Sequence, residues 1–107
     1  MVTTLIQFAY TPQAMQKLVK HPDDRSRYIK EIIEKNGGRM LSFYYTYGEF
    51  DGFVLAELPD SISSMAVNYA AVNPEVLAKT HTTICIPVSE ALQAMRKSEG
   101  LSIPSVK

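Results

Sequence analysis

Residues 3–10 carry Leu5, Ile6, Phe8 and Tyr10 around a single polar Gln7, a pattern that predicts a first strand. Thr11-Pro12 then reads as an N-cap followed by proline at the first helical position, with Met15, Leu18 and Val19 at helical spacing. His21-Pro22 interrupts this helix, because a residue before proline avoids the α region. Asp23 and Asp24 restart it. From there Tyr28, Ile29, Ile32 and Ile33 form an apolar stripe, and Arg25, Lys30, Glu31, Glu34 and Lys35 are expected to face water. Asn36-Gly37-Gly38 closes the helix, since glycine takes the left-handed conformation without steric cost.

Met40 to Tyr47 is rich in β-formers and predicts a second strand. Gly48 to Gly52 follows as a turn, and Asp51 is expected to cap it through its own backbone. Phe53 to Leu58 is the return strand. Asp60 caps a further helix, for which Ile62, Met65, Ala66, Tyr69, Ala70 and Val72 are the expected buried face. Val76 to Ile86 predicts a last strand. Pro87 opens a final helix with Val88, Ala91, Leu92 and Met95 on one side. The order β-α-β-β-α-β plus a C-terminal helix is that of an α+β, ferredoxin-like fold. Residues 1–98 are expected to form one domain, and 99–107 a flexible tail or docking arm.

In such a fold the helices cover one face of the sheet and leave the other bare. A water-facing side should be polar at every second position. Strict alternation puts Leu41, Phe43, Tyr45 and Tyr47 on one side of the second strand, with Met40, Ser42, Tyr44 and Thr46 on the other. It likewise opposes Phe53, Leu55 and Glu57 to Val54, Ala56 and Leu58 in the third. Both sides are largely apolar, which predicts a second copy packed sheet to sheet as a homodimer. Charge agrees: 11 basic and 11 acidic residues leave no net repulsion between copies. The same balance argues against a nucleic-acid partner. No residue run is apolar enough to span a bilayer, residues 1–10 lack an export signal, and the lone Cys85 excludes an internal disulfide, so a cytoplasmic location is expected.

The segment Gly37 to Val54, with Gly48-Glu49-Phe50-Asp51 at its turn, resembles the GYD-domain family. So do Tyr10-Thr11-Pro12-Gln13 and Glu57-Leu58-Pro59-Asp60. The resemblance implies a dimeric α+β barrel and no established activity or cofactor. The chain departs at Phe50, where the family typically has tyrosine. An aromatic ring that plugs the end of the hairpin meets the same need.

Candidate chemistry is sparse. His81, inside the last strand, and Glu57, inside the third, would act as a catalytic acid–base pair if they shared a pocket. Gln7, Tyr45 and Tyr47 are the companion ligand-binding candidates, and a small aromatic or apolar molecule is the expected ligand. The two histidines lack metal-ligand spacing, so no metal site is expected. The favoured reading is a homo-oligomeric small-molecule-binding or assembly module. The alternative is a cofactor-independent enzyme, monooxygenase- or isomerase-like, with a barrel pocket around His81.

Overall fold

The computed structural model covers residues 1–107. β1 (Val2–Tyr10) leads into α1 (Pro12–Lys20) and α2 (Ser26–Lys35). β2 (Arg39–Tyr45) and β3 (Gly52–Leu58) form a hairpin, α3 (Ser61–Ala71) follows, and β4 (Leu77–Cys85) leads into α4 (Val88–Lys97). The four strands make one antiparallel sheet in the order β2-β3-β1-β4. This is the expected α+β, ferredoxin-like arrangement, with its first helix split at His21-Pro22.

Local chemistry explains the boundaries. The Thr11 hydroxyl accepts the Ala14 amide at 3.1 Å, and Pro12 opens α1. Asp24 accepts the Ser26 amide at 3.0 Å, so α2 begins at Ser26 rather than at the aspartates. At its other end the Gly38 amide bonds back to Ile33 and the Gly37 amide to Glu34, each at 3.0 Å, the six-to-one and five-to-two pattern of a Schellman close. Gly37 takes φ +79°, where glycine is the least strained residue. A β-carbon on Gly38 would collide with the Glu57 carbonyl oxygen, so the chain enters β2 only through glycine.

The core lies between sheet and helices. Ile6, Val54, Ala56 and Leu58 from the strands meet Ile33 of α2 and Val67 of α3, with Ile29, Ile32, Met40 and Phe43 packed around them. Thr4 and Ser64 are buried here too, and each satisfies the other through a 2.8 Å hydroxyl–hydroxyl bond.

Two expectations fail. Leu41 forms a β-bulge: Met40 pairs with Ala56, and Ser42 already pairs with Leu55. One extra residue reverses the side on which every later side chain falls. Met40 therefore shares the helix side with Phe43 and Tyr45, while Ser42 and Tyr44 join the open side. β2 also ends at Tyr45, leaving Tyr47 fully exposed in the connection to β3. In α3 the inward residues are Ser64 and Val67, and Ile62, Met65, Tyr69 and Val72 point outward. Small residues let α3 sit close to the strands, and the Thr4 hydroxyl supplies the partner that makes an inward serine tolerable.

The open face of the sheet carries Leu5, Phe53, Leu55 and Tyr44 toward its β2–β3 half, and Gln7, His81, Thr83 and Cys85 toward β4. No element covers it. α4 contains no buried residue and continues past the end of β4. The molecule is 58 Å long with a Cα radius of gyration of 17.4 Å, against about 13 Å for a compact chain of this size. No helix is long and apolar enough to cross a membrane.

Candidate functional site

The predicted site residues do not converge. On the open face Glu57 lies level with Thr3 and His81 level with Gln7. Four residues of β1, roughly 13 Å, separate the two levels. Glu57 instead takes Arg39 across the β2–β3 ladder, at 2.8 Å from Oε1 to the guanidinium. His81 Nδ1 is 3.3 Å from the Gln7 amide oxygen, so the imidazole is held by a neutral group rather than a carboxylate. Tyr45 belongs to the opposite, helix side, and Tyr47 touches neither. No acid–base pair forms between Glu57 and His81, and Gln7 joins only His81. No three His, Cys, Asp or Glu side chains come together as a metal-ligand set.

The hairpin connection has a structural part. Asp51 accepts the Tyr10 amide through Oδ2 at 2.9 Å and donates its own amide to Phe8 at 2.8 Å. It therefore clamps the β2–β3 connection to the end of β1, rather than capping its own turn. Phe50 lies beside His81, ring centroids 6.3 Å apart, with the Lys79 ammonium 4.7 Å from its ring. The ring fills a slot between two side chains of β4, a role that needs no phenolic hydroxyl. Gly48 lies in the open part of the connection, with free space where a β-carbon would point.

A different site lies on the helix side. A cleft of about 190 Å³ opens between β1, β2 and β3 below and α2, the end of α3 and the start of β4 above. Ile6, Phe8, Phe43 and Val54 form its floor, and Ile29, Ile32, Ala70 and Leu77 its walls. Phe8, Phe43, Tyr10 and Tyr45 stand edge to face or tilted, 5.3 to 5.6 Å apart from centroid to centroid along the chain of rings. Its polar lining residues are Arg25 and Asn73, beside the tyrosines Tyr10 and Tyr28.

Arg25 is half-buried and makes no ion pair. Its guanidinium lies 5.0 Å from the Tyr28 ring centre, and its backbone amide donates to the Tyr45 hydroxyl at 3.3 Å. Its five side-chain donors are otherwise uncommitted within the chain. Burial, and then the neighbouring Tyr45 phenol, push the Tyr10 phenol well above the usual range, so it stays a neutral donor at physiological pH.

Arg25 was expected in water because it is charged. Its register says otherwise: it precedes Ile29 by four residues and Ile32 by seven, on the buried stripe of α2. Helical period was the available signal. Tyr10 carried none beyond its place at the end of β1.

The chain is similar to several solved structures. "FFRP-DM1" is 21% identical over 80% of this chain and all of its own, with a TM-score of 0.50. TTHA0845 from Thermus thermophilus is 17% identical over 81% of this chain and 95% of its own, with a TM-score of 0.53. MtbAldR is 14% identical over 79% of this chain, which spans about half of it (51%), with a TM-score of 0.57. At these identities the likeness speaks for the fold alone. Comparison with curated proteins finds no match. The family resemblance carried by Gly37 to Val54 is borne out along the chain: the model of the GYD domain matches residues 5–95, and the chain belongs to that family.

Proposed function

We propose that this chain is a homodimeric small-molecule-binding module, two copies packing open sheet face to open sheet face while each keeps its own helix-side cleft. The observation that carries the reading is the uncovered half of the sheet. Leu5, Phe53, Leu55 and Tyr44 form one contiguous apolar patch on a chain of zero net charge. The polar pairs Arg39–Glu57 and Gln7–His81 flank that patch, an arrangement that suits an apolar interface centre with a polar rim. A single thiol, Cys85, is compatible with work in a reducing cytoplasm.

The cleft indicates the ligand. An apolar cavity of roughly 150 Å³ accepts benzene, and this cleft is of similar size at about 190 Å³. A single-ring or short branched acid fits that space, with its apolar body over Phe8 and Phe43 and its carboxylate on Arg25. A guanidinium binds a carboxylate through two parallel hydrogen bonds, which a neutral amide cannot match. The neutral Tyr10 phenol adds a donor. In calorimetric titration benzoate should bind and benzamide should bind at least tenfold more weakly. Arg25→Gln should erase that preference. Equal binding of the two by the unaltered chain, or binding of neither, would overturn the ligand assignment.

A further inference from the structure

α3 carries apolar residues on two sides, and the protomer uses one. Ser64 and Val67 face the sheet. Ile62, Met65 and Tyr69 recur at helical spacing on the opposite side, Val72 follows at the helix C-cap, and all four are more than half exposed. α4 presents the matching surplus. Val88, Leu92 and Met95 are exposed along one of its sides, with Ala91 among them, and the helix projects beyond the domain. We propose that α4 of one copy docks along the outward stripe of α3 in a second copy, and that the two copies exchange these helices reciprocally.

The chain's own α4 does not reach that stripe. Only Ile86 and Pro87 connect β4 to α4, and Pro87 is extended at φ −56°, ψ 143°. Two extended residues span about 7 Å. To lie on the outer side of α3, α4 must rise from the sheet through the helix layer and one more helix spacing, two steps of roughly 8–10 Å each. A helix α4 docked on the stripe therefore belongs to another molecule. A second copy is the partner that always supplies the matching helix, and zero net charge leaves no repulsion to oppose it.

The dimensions and charges agree. Residues 62 to 69 extend about 10 Å along α3, and residues 88 to 95 about 10 Å along α4. Packed antiparallel, α4 brings Arg96 and Lys97 to the start of α3, where Asp60 caps the helix. Opposed helix dipoles favour the same orientation. Reciprocal exchange closes on itself as a two-fold dimer, whereas one-way docking would propagate into filaments. The exchange does not depend on the cleft or its ligand, and it uses a surface distinct from the open sheet face, so copies joined through both surfaces form a tetramer or a larger assembly.

Full-length chains test it in a Cys85→Ser background. One chain carries Leu92→Cys and the other Tyr69→Cys, and the two are mixed and oxidised. A mixed disulfide between the chains is expected at several times the level reached when Tyr69→Cys is replaced by Lys30→Cys, a site on the α2 surface. In the same full-length chain Leu92→Asp with Met95→Asp should weaken association at least tenfold in sedimentation equilibrium. Both positions are exposed, so the domain's circular dichroism should not change. A disulfide no more frequent than the control, a disulfide formed within a single chain carrying both cysteines, or association unaltered by the aspartates would overturn the exchange.

Discussion

The two faces of the sheet are built from the same strands and differ in almost every other respect. On β3, Gly52, Val54, Ala56 and Leu58 are buried, whereas Phe53, Leu55 and Glu57 between them are only half covered. The helix side has an apolar core, and its one interior polar pair, Thr4 with Ser64, is mutually satisfied. The open side keeps leucine and aromatic residues at its centre but admits an ion pair and an imidazole–amide bond around them. The helix side is therefore finished within one chain. The open side has the composition of a surface that is partly wet until a partner arrives. Substitutions on the first should cost folding, and substitutions on the second should cost assembly.

The largest effect is expected at the centre of the covered side. Ile33 is fully buried against the strands, and Ile33→Ala should lower the unfolding free energy by about 2–5 kcal/mol. Urea denaturation followed by circular dichroism measures this; a loss below about 1 kcal/mol would mean that the helix layer is not what closes this face. The Thr4–Ser64 pair gives a finer test. Ser64→Ala alone should cost about 1–3 kcal/mol because it strands the Thr4 hydroxyl. Adding Thr4→Val should return part of that loss. Strictly additive costs in the double-mutant cycle would show that the hydroxyls do not depend on each other.

Titration separates the sides further. The Tyr10 phenol, raised by burial and then by Tyr45, stays protonated in the folded chain above the pH at which an unfolded tyrosine ionises. Its contribution is complete below about pH 10 and is lost as pH rises from there toward the folded value. Tyr10→Phe should flatten that alkaline loss in a pH series of thermal melts. At the acid end, Asp60 is held below the usual carboxylate range by the Ser63 amide it accepts. That contribution is present above about pH 4 and disappears as pH falls through the lowered value. Asp60→Asn should lower the melting temperature slightly at neutral pH and not at all at the acid end of the series.

Much of the fold was legible because local signals agreed with one another. Thr11-Pro12, Asn36-Gly37-Gly38 and Asp60 each marked a helix end through backbone chemistry that acts over a few residues. The strand order followed from the β-α-β-β-α-β sequence of elements. What escaped the sequence depends on geometry between elements. The bulge at Leu41 leaves no mark in composition, yet it decides that Met40 shares a side with Phe43 and Tyr45 rather than with Ser42 and Tyr44. The outward turn of Ile62, Met65 and Tyr69 could not be read from α3 alone, since a helix apolar on both sides has no preferred buried face until a neighbour with a hydroxyl, Thr4, selects Ser64. The site suffered for the same reason. His81 and Glu57 share a face but not a level, and Arg25 was set aside for its charge although its register placed it on the buried stripe.

The contrast between the two faces rests on the open one being covered by another copy of the chain. Light scattering on a sizing column tests this directly, with Leu55→Asp as the comparison. The unaltered chain should elute at no less than twice its 12.0 kDa mass, and the Leu55→Asp chain as a folded species of lower mass with unchanged circular dichroism. A monodisperse 12.0 kDa monomer for the unaltered chain would contradict the account.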